Sequence, residues 1–368
     1  MRLKRIDGGS LLKGTYVWYT TSRGNSMDSN ASSSAVFYAR CYEVVKPVCT
    51  TYTAIHVPRR FSCSYYFSLF SKSPADIVCP QFWELKWAVG CPYSCSYCFL
   101  QGTFFGDKSF RLKNLSRLEK ELEELLSWAD SVSLRLLLNA GELCDSLAVP
   151  DATARLIDVL KKVLVNHSMH RVLFVTKAGL HQAKRFIENV KGFEEFFVVS
   201  FSINAPSIAE RFEVAPTIED RVRAAVALQE SGIEIRFRID PMIPVDRWED
   251  HYRYLIEGML TKYELEPERI TIGSLRGLMK TIRFSRDREW VGYLRNGEKT
   301  GWGLKIERAT RENMYRAVIE TLKTYGYRGY VSLCKETHSI WLDLSKENLL
   351  PNPGTPEIWE NVMCNCRL

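Results

Sequence analysis

From about residue 76 onward, the apolar positions fall into two alternating patterns. Compact apolar runs read as strands, and each is followed by a stretch whose apolar residues recur at three- and four-residue steps, which reads as a helix. The predicted strands cover 82–89, 134–139, 171–177, 197–204, 233–240 and 269–272, and the predicted helices 115–128, 152–165, 181–190, 219–230 and 247–260. The strand runs read as apolar without a period of two, which predicts a parallel sheet buried on both faces. Six such units are too few for an eightfold barrel, so the α/β fold expected is a partial (β/α)6 barrel. In such folds the ligand lies beyond the C-terminal ends of the strands. That edge holds the loop after the first strand, residues 139–145, Lys177, Ser202 to Asn204 and Asp240.

The flanks differ from this core. Residues 1–75 contain a Ser/Asn-rich tract at 20–34 with no helical period, read as a flexible N-terminal arm in which Met27 offers an alternative start. The barrel is assigned to 76–280 and a C-terminal extension to 281–368. Between Arg276 and Arg311 stand ten Lys or Arg against four Asp or Glu, interleaved with Phe284, Trp290, Tyr293 and Trp302. Cations mixed with aromatics suit a nucleic-acid surface, and equally an ordinary solvated face.

Composition narrows the class. The 368 residues carry a net charge of +7, which permits a polyanionic partner without requiring one. No apolar run approaches the roughly 18 residues of a membrane span, so a cytoplasmic protein with no membrane partner is expected. Eleven cysteines, three of them tightly grouped, fit a reducing compartment and metal use better than a disulfide scaffold.

The tight group is Cys91, Cys95 and Cys98, spaced C-x3-C-x2-C directly after the first strand. One loop of that spacing can wrap three thiolates around a 4Fe–4S cluster and leave one iron open. An open iron binds the amino and carboxylate groups of S-adenosylmethionine (SAM), whose reductive cleavage gives a 5′-deoxyadenosyl radical. A zinc knuckle or three structural thiols is the alternative. The three-cysteine spacing, with the aromatic Tyr97 before the third cysteine, resembles the radical SAM superfamily, which makes the predicted fold a partial radical SAM barrel.

Within that superfamily the chain resembles the spore photoproduct lyase-like group over roughly 76–280. The likeness rests on the cysteine loop with Phe99, Leu100 and Gln101, on Phe201-Ser202-Ile203-Asn204, and on Asp240-Pro241-Met242-Ile243-Pro244 with Trp248, Glu249 and Tyr252. The resemblance implies Cys91, Cys95 and Cys98 as cluster ligands, and Gly141 and Glu142 as receivers of the SAM amino group. It also implies Asp145, Lys177, Ser202 and Asn204 as further SAM-binding residues, and an external electron donor. The group's lyase splits a thymine–thymine adduct in DNA and uses a cysteine thiol with nearby tyrosines to return hydrogen to the product radical.

The chain departs from that pattern at the relay. Alignment on Asp145 puts Glu142 where the group has its cysteine, with Cys144 two positions later, and Phe99 stands where the group has a second tyrosine. Cys144 and Tyr97 are therefore the candidate hydrogen-transfer residues. Cys334, Cys364 and Cys366, with Cys79 or His338, are candidates for a second metal or cluster if they converge. The expected function is a radical SAM enzyme acting on a nucleobase or DNA adduct. The alternatives are a radical SAM enzyme for a small-molecule substrate and a non-catalytic metal-dependent nucleic-acid-binding protein.

Overall fold

Helix formation after the cysteine loop follows directly from side-chain placement. Asn114 caps α1 (Leu115–Ser131) by accepting from the Arg117 N–H at 3.0 Å, and Leu118, Leu122, Leu125 and Leu126 form its buried stripe. A cap of this kind contributes about 1 kcal/mol. The same alternation of buried strand and amphipathic helix recurs along the chain. The computed structural model describes residues 54–368 in full, and before them only the backbone of Lys4–Arg5, Thr15–Thr20, Ala35–Tyr42 and the start of Val48–Val57, which pair antiparallel. The Ser/Asn-rich tract at 21–34 lies outside the described residues.

The main sheet has eight strands: β1 (Phe67–Phe70), β2 (Phe82–Leu85), β3 (Leu137–Asn139), β4 (Arg171–Thr176), β5 (Phe197–Ile203), β6 (Glu234–Met242), β7 (Arg269–Ser274) and β8 (Tyr330–Leu333). Their spatial order follows the chain from β1 to β8, all parallel except β1, and the sheet curls into a half-barrel. The outer face is covered by α1, α2 (Pro150–Leu164), α3 (Leu180–Val190), α4 (Pro206–Phe212), α5 (Ile218–Glu230) and α6 (Trp248–Glu257); α7 (Met279–Phe284) lies against the helical turn 100–103, and α8 (Arg308–Thr324) and α9 (His338–Lys346) follow. Among the described residues no helix is long and apolar enough to cross a membrane.

The six strands expected from periodicity are all present, as α/β units. Three expectations about their surroundings are corrected. Residues 54–75, assigned to the arm, are folded onto the barrel: Tyr66 and Phe67 are buried and β1 pairs with β2. The stretch beyond 280 is not an appendage, because β8 adds a seventh parallel strand beside β7.

The third correction concerns the strands themselves. In β6, Ile235, Phe237 and Ile239 pack outward in the core, while Arg236, Arg238 and Asp240 share the opposite, inner face with Ser200, Ser202 and Thr271. A period of two is present here, and its polar half lines the barrel interior.

The end of the chain occupies that interior. Asn365 donates from Nδ2 to Ser200 Oγ at 2.7 Å and to the Phe237 carbonyl at 2.9 Å, and accepts from Thr271 Oγ1 at 2.7 Å. Arg236 donates to the carbonyls of Asn365 and Arg367, and Leu368 packs on Leu137, Leu173 and Val198. Buried guanidinium and amide groups are thereby satisfied by backbone carbonyls instead of water.

Candidate active site

The cysteine loop begins at Gly90, whose φ of +86° and whose approach to the Ser109 carbonyl, 2.1 Å from where a Cβ would sit, admit only glycine. Its backbone is tied to three neighbours: Gly90 N donates to the Leu143 carbonyl, Cys91 N to Lys108 and Ser96 N to Phe212. Gln101, buried, donates from Nε2 to the carbonyls of Cys95 and Ser96 and accepts from the Arg286 N–H. Gly102 lets the helical turn Leu100–Thr103 press against α7, where an added Cβ would stand 2.5 Å from Thr281 N. The loop is thus fixed at the C-terminal edge of the sheet by groups drawn from far along the chain.

The three thiols are suited to a cluster. Burial pushes Cys91 and Cys95 up to about 12 and raises Cys98, so none ionises readily without a cation beside it. The backbone N–H groups of Tyr93 and Leu100 partly offset that rise at Cys91 and Cys98, and the Gln101 N–H donates to the Cys98 carbonyl at 3.1 Å. Tyr93 Oη is buried with no hydrogen-bond partner among the described residues. Among those residues no three His, Cys, Asp or Glu side chains close on a single metal ion, at this loop or among Cys334, Cys364 and Cys366.

Beside the loop lies a charged centre that sequence reading missed. Glu213, in the connection between α4 and α5, accepts from Lys177 Nζ at 2.8 Å and from the Tyr97 hydroxyl, and pairs with Arg221 at 2.6 Å. Burial alone would raise its carboxyl, but Lys177 and Arg221 outweigh burial and hold it at about 2. Burial, reinforced by the Glu213 charge, drives the Tyr97 phenol well above its usual value. Tyr97 therefore stays protonated and oriented. Glu213 and Arg221 carry no local motif; only their packing against Tyr97 and Lys177 marks them.

The predicted SAM-binding residues divide by geometry. Lys177 and Ser202 are half-buried at strand ends, and Ser202 Oγ makes no hydrogen bond among the described residues. Gly141 and Glu142 lie on the loop after β3, where Asn139 Nδ2 donates to Glu142 Oε1 at 3.0 Å. Two residues are placed otherwise. Asp145 is buried, and its oxygens accept from Thr176 Oγ1 and from the N–H groups of Leu147, Ala148 and Lys177. Asn204 is buried between the Tyr252 hydroxyl, the Ala205 N–H and the Pro241 carbonyl. Their hydrogen bonds fix the loops around the site.

Cys144 is buried, its thiol donating to the Ala140 carbonyl at 3.5 Å and pushed well above its usual range by burial, with Asp145 and Cys91 adding to the rise. The basic segment also proves mixed: Lys305 and Arg311 are buried against Glu336, Arg276 grips Asp240 at 2.8 and 3.0 Å, and Trp290 is fully buried.

Comparison with known proteins completes the description. The family model for spore photoproduct lyase matches residues 79–275, which include the cysteine loop and the strand ends just described. The chain belongs to the spore photoproduct lyase family, a radical SAM family. It is 28% identical over 185 residues to the spore photoproduct lyase of Bacillus subtilis (strain 168), covering 48% of this chain and 50% of that protein. It is 23% identical over 212 residues to that of Clostridium acetobutylicum, covering 54% and 60%. The chain thus spans between half and three-fifths of the length of these curated relatives.

Among solved structures, spore photoproduct lyase complexed with dinucleoside spore photoproduct superposes with a TM-score of 0.59 at 18% identity, over 73% of this chain and 79% of that one. A spore photoproduct lyase double mutant with bound AdoMet and dinucleoside spore photoproduct gives 0.55 at 19% identity, over 66% and 74%. These likenesses establish the spore photoproduct lyase fold.

Proposed function

We propose that this protein is a radical SAM lyase that opens a covalent adduct between nucleobases. The observation that carries the reading is the three-thiol loop, its backbone tied to the carbonyls of Leu143, Lys108 and Phe212, standing at the edge of a polar barrel interior. Cys91, Cys95 and Cys98 would hold a 4Fe–4S cluster, which with bound SAM supplies a 5′-deoxyadenosyl radical after one-electron reduction.

The chain's own groups would do the rest. Glu142 would receive the SAM amino group, and Lys177 and Ser202 would line the cofactor. Asp145 and Asn204 would fix the strand ends that carry them. Tyr97, kept protonated beside Glu213, is oriented toward the same edge.

A nucleic-acid substrate is supported by the surface next to the loop. Phe99, Phe105 and Met279 are exposed there, Phe105 meets Phe284 edge to face at 5.4 Å, and Lys280 lies 5.4 Å from the Phe105 ring. Aromatic faces for stacking beside cations for phosphates suit an extruded or unpaired strand.

The test is anaerobic incubation of reconstituted, reduced protein with SAM and dinucleoside spore photoproduct. Release of thymidine supports the reading. Formation of 5′-deoxyadenosine with no thymidine overturns the assigned lesion and favours a different, small-molecule substrate.

A further inference from the structure

The three-residue spacer between Cys91 and Cys95 carries a polar group with no role so far. Pro92 and Ser94 are exposed, whereas Tyr93 between them is half-buried and its hydroxyl oxygen is sealed from solvent. The ring is therefore turned to the inner side of the loop, the side on which Cys95 is buried. The spacer's backbone is held from outside the loop. Lys108 Nζ donates to the Tyr93 carbonyl, the Cys91 N–H donates to the Lys108 carbonyl at 2.8 Å, and the Ser94 N–H donates to the carbonyl of exposed Val214 at 3.2 Å. Three backbone contacts thus keep the ring where it is.

The Tyr93 hydroxyl bonds to nothing among the described residues. Native folds match nearly all of their buried polar atoms, so an orphan marks a partner that the polypeptide by itself does not supply. Other tyrosines near the site are committed: Tyr97 donates to Glu213 and Tyr252 to Asn204. Of the orphaned buried side-chain atoms among the described residues, the Tyr93 oxygen is the one within the cysteine loop. Cys91, Cys95 and Cys98 all lie within five residues of it along the chain. Charged sulfurs of a bound cluster are the acceptors that this position offers, and a hydrogen bond to a charged acceptor is a strong one.

We propose that the Tyr93 hydroxyl donates a hydrogen bond to a sulfur of the 4Fe–4S cluster and thereby raises its reduction potential. The proposal rests on the radical SAM reading. Reduction adds one negative charge to the cluster, so an O–H dipole aimed at its sulfur stabilises the reduced form more than the oxidised one. Tyr93 is a positioning residue that acts through the cluster.

The test compares wild type with Tyr93→Phe, which keeps the ring and removes the hydroxyl. Both are reconstituted anaerobically to equal iron content and titrated with reductant, and the reduced cluster is followed by electron paramagnetic resonance. The variant's reduction equilibrium should be about tenfold less favourable, a fall of about 59 mV for one electron. Tyr254→Phe, at an exposed ring, should keep the wild-type potential. A wild-type potential in Tyr93→Phe overturns the proposal while the radical SAM reading stands; weaker SAM binding in that variant would then assign the hydroxyl to SAM. Wild type that takes up no cluster overturns that reading and the proposal with it.

A second measurement uses the cluster-free protein, in which the hydroxyl has nothing to bond. There Tyr93→Phe should unfold in urea at the same midpoint as wild type or at a higher one, because no hydrogen bond is lost. Iron uptake lost in Tyr93→Phe at an intact midpoint would also support the contact. A midpoint below wild type would show that the hydroxyl serves the polypeptide fold, and overturns the proposal.

Discussion

Lys177 Nζ stands 2.8 Å from Oε1 of Glu213, the first at the end of β4 and the second in the connection between α4 and α5. Tyr97 donates to the same carboxylate and Arg221 pairs with it from the buried side. One carboxylate thus sets the position of a phenol and an ammonium beside the cysteine loop. Removing it leaves Arg221, which is almost fully buried, uncompensated. Glu213→Ala is expected to cost about 3–5 kcal/mol, the range for breaking a buried ion pair from one side, read as the loss in urea unfolding free energy. A loss below about 1 kcal/mol, the level of an exposed pair, would show that this centre is solvated.

The same carboxylate gives a pH dependence with a defined sign. Its folded pKa, about 2, lies below the ordinary value for glutamate, about 4.3. The stability it contributes is therefore complete above the ordinary value and is lost as pH falls from there toward 2. Thermal midpoints measured across that window should fall more steeply for wild type than for Glu213→Gln. Parallel curves would mean that Glu213 does not carry the effect.

His167 gives the opposite sign. Burial opposes its charge, but Asp130 Oδ2 at 2.5 Å and Glu123 Oε1 at 3.1 Å outweigh burial and raise its pKa. Its contribution is complete below the ordinary histidine value of about 6.5 and disappears as pH rises through the raised folded value. Since Glu123 is half exposed, His167→Gln is expected to cost about 1 kcal/mol at pH 6 and less at pH 8. An equal cost at both values would contradict the charged form.

Much of the fold was legible because local periodicity and parallel topology coincide: all six strands from β2 to β7 follow the apolar runs. The cysteine triplet was legible because its chemistry depends on spacing within one loop. What escaped depends on distant partners. Glu213 is an ordinary acidic residue until Lys177 and Arg221 close on it, and β8 gains its place only by pairing with β7. Cys144 is singled out by its distance to Asp145 along the chain, and the turn after β3 buries it with its thiol on the Ala140 carbonyl.

Glu336 illustrates the same point at the foot of the C-terminal segment. It is fully buried and gathers Lys305, Arg311 and the Tyr315 hydroxyl, the last at 2.7 Å. Glu336→Ala is expected to destabilise the protein by about 3–5 kcal/mol, whereas exposed Glu357→Ala should change it by less than about 0.5 kcal/mol. Equal effects would contradict the buried network.

The claim on which the account turns is that Cys91, Cys95 and Cys98 build the radical-generating centre. The most direct measurement is 5′-deoxyadenosine formed per protein after anaerobic iron–sulfur reconstitution, dithionite reduction and addition of SAM. Wild type should form it, and Cys91→Ala, Cys95→Ala and Cys98→Ala should each abolish it and lose bound iron. Wild type that binds iron and forms none, or single variants that form as much as wild type, would contradict the account.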